Sequence, residues 1–210
     1  MKQVIAGFLG TPSRVSNSYN ALYKADNGTW SSSTVKSIIA TGGTFRNMRI
    51  ELGVAPGAGN SWTFTIRKNG SNQTLAATIT DTDTSGDDTT HSFSCSAGDL
   101  IDIESVPSST PDAASTVKLY LEFDSDDSFT SSIMGVTPSA LSTSSSQYFM
   151  PHGSITLIAS NTHQARLYIP CNGTLTGLFA SLETAPGTSK SYSFLLSING
   201  TEYSSETSFS

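Results

Sequence analysis

Apolar and polar residues alternate with a period of two in several short stretches of this 210-residue chain. In one stretch Trp62, Phe64 and Ile66 are separated by Thr63 and Thr65. Residues 117–123 show the same alternation. This pattern is typical of a β-strand that buries one of its two faces. Because Gly, Pro and Asn separate the stretches, as they do in turns, the pattern predicts an all-β protein.

The chain also contains an internal repeat. Residues 43–70 and 173–200 align without a gap and are identical at ten of 28 positions. Both segments carry Ala-Pro-Gly, which favours a turn because Pro presets φ and Gly accepts positive φ. Both end in Asn-Gly, a strong signal for a two-residue hairpin. Each copy is therefore predicted to form a strand, an Ala-Pro-Gly loop, a second strand, an Asn-Gly hairpin and a third strand.

The domain organisation follows from the strands predicted around this repeat. The first copy has about eight strands, a number that suits a two-sheet jelly roll or a related sandwich. Strands are expected at residues 4–9, 35–40, 75–80, 92–95, 100–106 and 117–123, in addition to those before the Asn-Gly hairpin. We predict tandem antiparallel β-sandwiches of jelly-roll type: a complete one over residues 1–124, an acidic polar linker over 125–131, and an incomplete copy over 132–210.

The second copy has no counterparts of residues 92–123. A sandwich without those strands leaves core side chains in water and a sheet edge open to pairing with another chain. We therefore expect either that the native chain continues past residue 210 or that a neighbouring subunit completes the second domain.

The composition excludes several kinds of partner. Only 13% of the residues are charged, whereas Ser and Thr together number about 64, so hydroxyl side chains must cover much of the surface. The net charge is −6, and the 11 Lys and Arg residues form no basic stripe, which argues against a nucleic-acid partner. No apolar run approaches the roughly 20 residues that span a bilayer, so no membrane partner is expected. Residues 4–9 are interpreted as a strand rather than a signal peptide.

One acidic segment resembles the start of a calcium-binding loop. Asp81, Asp83, Ser85 and Asp87 follow the alternate spacing in which oxygen ligands converge on a hard cation. The twelfth position of the loop is Ser92 instead of the usual glutamate, which removes the bidentate ligand. We interpret the segment as a solvated hairpin tip and keep a weak calcium site as the alternative. No cofactor is predicted.

Histidine and cysteine positions do not indicate an active site. His91, His152 and His163 fall in or beside predicted loops, without zinc-site spacing. Cys95 and Cys171 are far apart in the sequence and are interpreted as two buried thiols rather than a disulfide framework.

The remaining acidic residues are also given structural roles. No G-x-S-x-G elbow accompanies the many serines. Asp99 follows Ala-Gly in a predicted turn, while Asp102 and Glu104 alternate with isoleucines and are placed at outward strand positions rather than assigned as an acid and base pair. We therefore predict no enzymatic activity.

Aromatic residues provide the remaining functional signal. Five lie outside the clearest alternating strands: Tyr19, Tyr23, Trp30, Tyr148 and Phe149. One interpretation is an exposed surface on which rings stack against sugars, with Trp30 as the best single candidate. The other is that these rings pack an extended N-terminal arm or a subunit interface, since interface cores are rich in aromatic residues.

The repeated segment resembles a known family. The resemblance rests on residues 43–52 and 55–70, on Ser-Ala-Gly-Asp-Leu at 96–100 and on Leu-Glu-Phe at 121–123. Together they are similar to a β-sandwich repeat of tailed-bacteriophage structural proteins, including fibre-like and decoration-like components. The resemblance implies a virion component at the particle surface and carries over no catalytic or cofactor residues.

These observations lead to an expected function. We predict a multimeric capsid decoration, head-fibre or tail-fibre component that acts by adhesion between subunits. Its partners are other copies of itself, with a trimer as the first expectation, and other virion proteins. The alternative is a carbohydrate-binding or adhesin module that recognises host-surface glycans.

Overall fold

The structure of the chain, a computed structural model, describes residues 2–22, 30–32, 35–127, 133, 140–150, 167 and 172–209. These residues contain no helix, and their strands pair antiparallel throughout. The strands are β1 (Lys2–Leu9), β2 (Ser18–Ala21), β3 (Ser37–Ile38), β4 (Gly43–Leu52), β5 (Gly57–Lys68), β6 (Ser71–Asp81), β7 (Ser85–Cys95), β8 (Leu100–Ser108), β9 (Val117–Ser125), β10 (Tyr192–Ile198) and β11 (Thr201–Phe209). The predicted all-β class is confirmed.

Strands β1 to β9 form two sheets. The first sheet has the order β1-β9-β4-β7. The second has the order β2-β8-β5-β6, with the short β3 also paired to β8. The two antiparallel sheets thus have four and five strands, and the chain crosses between them repeatedly, which is the arrangement of a jelly roll. The predicted jelly-roll sandwich is therefore confirmed for the N-terminal part of the chain.

Aromatic rings from both sheets pack in the interior among aliphatic side chains. Phe45 and Phe123 of the first sheet have ring centroids 4.8 Å apart. Trp62 and Phe64 of the second sheet are 6.3 Å apart, and all four side chains are fully buried. Each ring stabilises the fold by about 1.5–3 kcal/mol relative to exposure in water. The alternating pattern of the sequence thus identifies the inner faces of both sheets correctly.

A β-bulge interrupts the alternation in β4. The pairing register with β7 shifts between Arg46 and Met48, and Asn47 takes a positive φ of 51°. Phe45 and Met48 both face the core although three positions separate them, because the extra residue of a bulge is left unpaired. The bulge therefore places Arg46 and Arg49 on the same outer face.

Several strands differ from the prediction. The segment that forms β2 was not predicted as a strand; its residues Ser18 and Asn20 are polar but buried. Strand β7 begins at Ser85, seven residues before the expected start, because its polar first half pairs with β4. Strand β9 extends through Ser125 into the predicted linker. The rest of that linker from residue 128 lies outside the described residues.

The chain divides into two compact units, Met1–Leu167 and Tyr168–Ser210. In the second unit β10 and β11 form a hairpin whose turn residues Asn199 and Gly200 have φ values of 52° and 87°. The equivalent Asn69 and Gly70 have 52° and 85°. These positive values define the two-residue turn that Asn-Gly favours, so the repeated hairpin is confirmed.

The first strand of the second repeat copy is not present. Residues 172–191 contain no strand, although residues 173–182 align with β4. In the first copy β4 lies between β7 and β9. The described residues of the second unit contain only the two strands of the hairpin, so they include no counterparts of β7 and β9 with which this segment could pair.

The repeat allows a matched test of packing. A Cβ added at Gly43 lies 2.5 Å from the Phe123 ring and 2.6 Å from the Asp124 carbonyl oxygen. At the aligned Gly173 nothing lies within 4 Å. We expect Gly43→Ala to lower the free energy of unfolding by about 2 kcal/mol through overpacking, and Gly173→Ala to leave it within about 0.5 kcal/mol. Urea unfolding measures both; equal effects contradict the prediction.

Candidate functional site

The outer face of the first sheet carries an exposed group of apolar side chains on its edge strand. On β1, Val4 is 72% exposed and Phe8 is 58% exposed, with Ala6 exposed between them. Tyr120, 36% exposed, lies opposite Ala6 on β9. We call Val4, Ala6, Phe8 and Tyr120 the apolar stripe. Contiguous exposed apolar side chains of this kind mark interaction surfaces.

Charged residues on the outer face of the same sheet form ion pairs beside the apolar stripe. Arg46 Nε lies 2.7 Å from Glu122 Oε1, and Lys2 Nζ lies 3.1 Å from the same oxygen. Hydrogen bonds to Glu122, first from Arg46 and then from Asn47 and Lys2, lower its pKa to about 2. On the other side of the stripe Lys118 Nζ lies 3.8 Å from Glu51 Oε2. These charges are matched within the sheet.

The outer face of this sheet is consequently neutral. Its described strands carry four basic and four acidic outward residues: Lys2, Arg46, Arg49, Lys118, Glu51, Asp87, Glu122 and Asp124. The whole chain, by contrast, has a net charge of −6. A partner is therefore not selected here by overall charge, and the apolar stripe is the main recognition feature of the face.

The stripe was not identified from the sequence. The signal is present, because residues 4–9 form a continuous apolar run in which only Gly lacks a side chain. Such a run is typical of a strand covered on both faces. In the structure Ile5 and Leu9 face the core, while β9 is the strand paired with β1 among the described residues. The outward half of the run, Val4, Ala6 and Phe8, is thus exposed.

A second polar cluster lies on the outer face of the second sheet. Arg67 on β5 and Asp102 on β8 are register partners, with Arg67 Nη1 3.6 Å from Asp102 Oδ2. The guanidinium of Arg67 lies over the Tyr19 ring, 4.6 Å from its centroid. Neighbouring Glu104 accepts hydrogen bonds from Asn17 Nδ2 at 2.9 Å and from Asn72 Nδ2 at 2.8 Å.

This cluster differs from an exposed surface cluster because its two carboxylates are buried. Asp102 and Glu104 were predicted at outward strand positions; they alternate with core isoleucines as expected, but only 1% and 6% of their surfaces are exposed. Neither carboxylate oxygen of Asp102 has a hydrogen-bond partner in the described part of the chain. Burial raises the pKa of Asp102 to about 6, against the opposing charges of Arg67 and Lys36. The two carboxylates of the cluster are thus held out of solvent, while Tyr19 and Asn72 at its rim are accessible.

The predicted calcium segment connects β6 at the edge of the second sheet to β7 at the edge of the first. Asp81 Oδ1 accepts a hydrogen bond from the backbone N–H of Gly59 at 2.7 Å, and Ser85 and Asp87 have already joined β7, opposite Glu51 and Arg49. The segment was predicted as a solvated hairpin tip; it is instead a crossing between the two sheets, because the strands on either side of it pair with β5 and with β4. No group of three or more His, Cys, Asp or Glu side chains placed to hold a metal ion occurs in the described ranges. Asp83 is exposed at the tip.

His91 is tied to a structural carboxylate. Its Nδ1 lies 2.9 Å from Asp88 Oδ2. Although burial opposes ionisation of Asp88, hydrogen bonds from the backbone N–H groups of Ala76, His91 and Thr90 hold its pKa well below the usual range. Asp88 therefore anchors the edge of β7 to β6. His152 and His163 lie outside the described residues.

Asp99 and Cys95 also occupy structural positions. Asp99 accepts hydrogen bonds from the Ser96 backbone N–H at 2.8 Å and from Asn69 Nδ2 at 2.7 Å, which confirms its place in a turn. Cys95 is a buried free thiol, and burial raises its pKa to about 11. Cys171 lies outside the described residues.

The structure corrects the interpretation of Trp30 as an exposed sugar-stacking ring. Trp30 is buried, its centroid lies 6.0 Å from that of Phe64, and its Nε1 donates a hydrogen bond to the Gly10 carbonyl oxygen at 2.6 Å. It packs the N-terminal arm onto the core because an indole can bury its ring and satisfy its single donor there.

Three of the other four aromatic candidates lie in the described part of the chain, and none of the three is fully exposed. Tyr19 is half-buried, and Arg67 lies over its ring. Burial, together with the charge of Glu104 and a hydrogen bond to it, raises the pKa of Tyr19. Tyr148 and Phe149 are half-buried, and Tyr23 lies outside the described residues.

The hairpin of the second unit carries exposed apolar residues as well. Leu195 and Ile198 on β10 and Tyr203 on β11 are all at least 40% exposed. Phe194, the counterpart of the fully buried Phe64, is only half-buried. The second copy of the repeat therefore keeps the apolar residues of the hairpin, but these side chains are exposed or only half-buried.

Comparison with known proteins adds no assignment. The chain matches no protein-family model, and no curated protein matches it. Within the described residues no helix has the length and apolar character needed to cross a bilayer.

The buried Asp102 predicts a pH dependence of stability. The pKa of Asp102 is about 6 in the folded state and 3.8 for an ordinary aspartate. As the pH falls, the folded state therefore binds a proton at a higher pH than the unfolded state does. The free energy of unfolding therefore receives a contribution that grows from pH 7 to about pH 4 and is lost as the pH rises, in all about 3 kcal/mol. Urea unfolding across this range should show a shallower slope for Asp102→Asn than for the wild type.

A matched control separates this effect from general destabilisation. Hydrogen bonds from Ser96 and Asn69 lower the pKa of Asp99, so Asp99→Asn acts on the pH dependence only below about pH 4. This variant should keep the wild-type slope between about pH 5 and pH 7. Parallel pH profiles of the wild type and Asp102→Asn contradict the prediction.

Proposed function

We propose that this chain is a structural protein of a virus particle, a capsid decoration, head-fibre or tail-fibre component that acts by adhesion between subunits. The observation that carries the proposal is the apolar stripe on a neutral sheet face. The jelly roll is compatible with this role but does not select it, since the same arrangement serves capsid proteins, lectins and cupins. The stripe favours adhesion because it is flat, exposed and apolar.

The hydroxyl-rich surface supports the same role. Pairs of short hydroxyl side chains link neighbouring strands, as between Thr63 and Thr78 at 3.0 Å and between Ser61 and Ser108 at 2.9 Å. Such groups present donors and acceptors at little cost in side-chain entropy. Each hydrogen bond to another subunit contributes about 1 kcal/mol net, and many copies on one particle act together through multivalency.

The geometry gives less support to the glycan-binding alternative. Sugar recognition by stacking needs an exposed ring, and the best candidate, Trp30, is buried. Tyr19 already stacks with Arg67. The glycan alternative is therefore treated as an outcome of the test below rather than as a second proposal.

Localisation tests the proposal. Particles purified from the culture that carries this gene are labelled with gold-conjugated antibody raised against the isolated protein and viewed by electron microscopy. We expect label at regular positions on the particles and co-sedimentation of the protein with them. Antibody preabsorbed with the protein is the control.

Two results contradict the proposal. One is protein that stays in the supernatant while particles band without it. The other is selective binding to a glycan array that Phe8→Glu does not change and Tyr148→Ala abolishes, because that result assigns recognition to a sugar-binding ring instead of the apolar stripe.

A further inference from the structure

We propose that β1 docks against β1 of a second copy of this chain, antiparallel about a two-fold axis at Ala6, so that the two apolar stripes merge into one buried patch. The inference deepens the proposed function and rests on it for its place on a particle. Self-association is measured on the isolated protein, and localisation is measured on particles. A negative result in one experiment therefore does not decide the other.

The first argument is that, within the described ranges, β9 is the strand that pairs with β1, and the sequence of β1 has few of the features that protect an edge strand. Natural sheets block their edges with charges, Pro residues, bulges or covering loops. β1 has the sequence KQVIAGFL, with one charge at its first residue and a regular register with β9 over its whole length. At the opposite edge of the sheet, β7 carries Asp87, Asp88 and His91. Of these two edges, β1 is the one suited to pairing.

The second argument is that the stripe is complementary to itself. When two β1 strands pair antiparallel with Ala6 opposite the partner's Ala6, Val4 lies opposite the partner's Phe8, and Phe8 lies opposite the partner's Val4. A two-fold axis perpendicular to the sheet keeps both outer faces on one side. The four large apolar side chains then form one continuous patch, flanked by Tyr120 from each copy.

The charges beside the stripe fit the same register. Val4 is flanked on β9 by Glu122, and Phe8 is flanked by Lys118. In the paired sheet the row of Val4 therefore runs from Glu122, across the apolar pair, to the partner's Lys118. The row of Phe8 runs in the same way from Lys118 to the partner's Glu122, so each row has opposite charges at its two ends. Arg49 and the partner's Arg49 are separated by five strand spacings, about 24 Å. Salt screens their repulsion at that distance.

The proposed occupant is a second copy rather than an unrelated peptide because of this match in both shape and charge. An isologous strand contact closes with two copies, so it favours a dimer instead of the trimer expected from the sequence. Since each copy carries a net charge of −6, long-range repulsion opposes the contact, and added salt should strengthen association.

Cysteine cross-linking tests the register. In a Cys171→Ser background that keeps the buried Cys95, Ala6→Cys should form a disulfide-linked dimer on mild oxidation, because directly opposed residues have Cα atoms about 5 Å apart. Val4→Cys alone and Phe8→Cys alone should not cross-link, because like residues lie about 13 Å apart. A mixture of the two variants should. Val15→Cys, exposed in a loop, is the control.

Sedimentation velocity tests the driving force. The wild type should show a monomer–dimer equilibrium that tightens between about 0.05 M and 0.5 M salt. Phe8→Glu should weaken the dimer by at least about tenfold, while Val15→Glu should not. Both sites are exposed, by 58% and 81%, so thermal unfolding should confirm that both variants fold.

Three results overturn the proposal. The first is a wild type that stays monomeric at all concentrations and binds only an added strand peptide. The second is cross-linking of Val4→Cys alone as efficiently as Ala6→Cys, which indicates another register. The third is a trimer whose stability Phe8→Glu does not change.

Discussion

The packing of aromatic rings between two antiparallel sheets is the constraint on which the rest of the structure depends. Phe45 and Phe123 from one sheet and Trp62 and Phe64 from the other are fully buried in the interior. Because side chains in a strand alternate between two faces, fixing these rings also fixes every outward position. The location of the apolar stripe and of the Arg67–Asp102 pair follows from the same registers that close the core.

Much of the fold could be predicted from the sequence, and the reason is local. Apolar and polar residues alternate regularly in β5 and β9, and the Asn-Gly sequences favour one type of turn. The short-range sequence pattern was therefore enough to predict these elements. Strand β2 has no such signal: its buried residues Ser18 and Asn20 are polar, and it exists because β8 offers it a partner. The bulge in β4 does leave a trace, since Phe45, Met48 and Ile50 break the period of two.

The candidate site was less accessible to sequence reasoning, because it depends on which strand lies at an edge. The run at residues 4–9 is apolar on both faces, but only the order of the described strands shows that β1 lies at an edge of its sheet. The burial of Asp102 and Trp30 could not be predicted from the sequence either. Asp102 looks like a solvent-facing strand residue, and Trp30 looks like a loop aromatic. Their neighbours, Arg67 and Phe64, come from distant parts of the chain.

The bulge at Asn47 makes the length of β4 as important as its composition. One extra residue there is the reason that Met48 points inward and Arg49 outward. Loss of the Asn47 codon removes the bulge and keeps both faces, because Phe45 and Met48 then alternate regularly with Arg46 and Arg49. Loss of the Ile50 codon instead turns Glu51 inward and Leu52 outward. Evolutionary deletions of one residue should therefore be accepted at the bulge and be absent from the regular part of this strand.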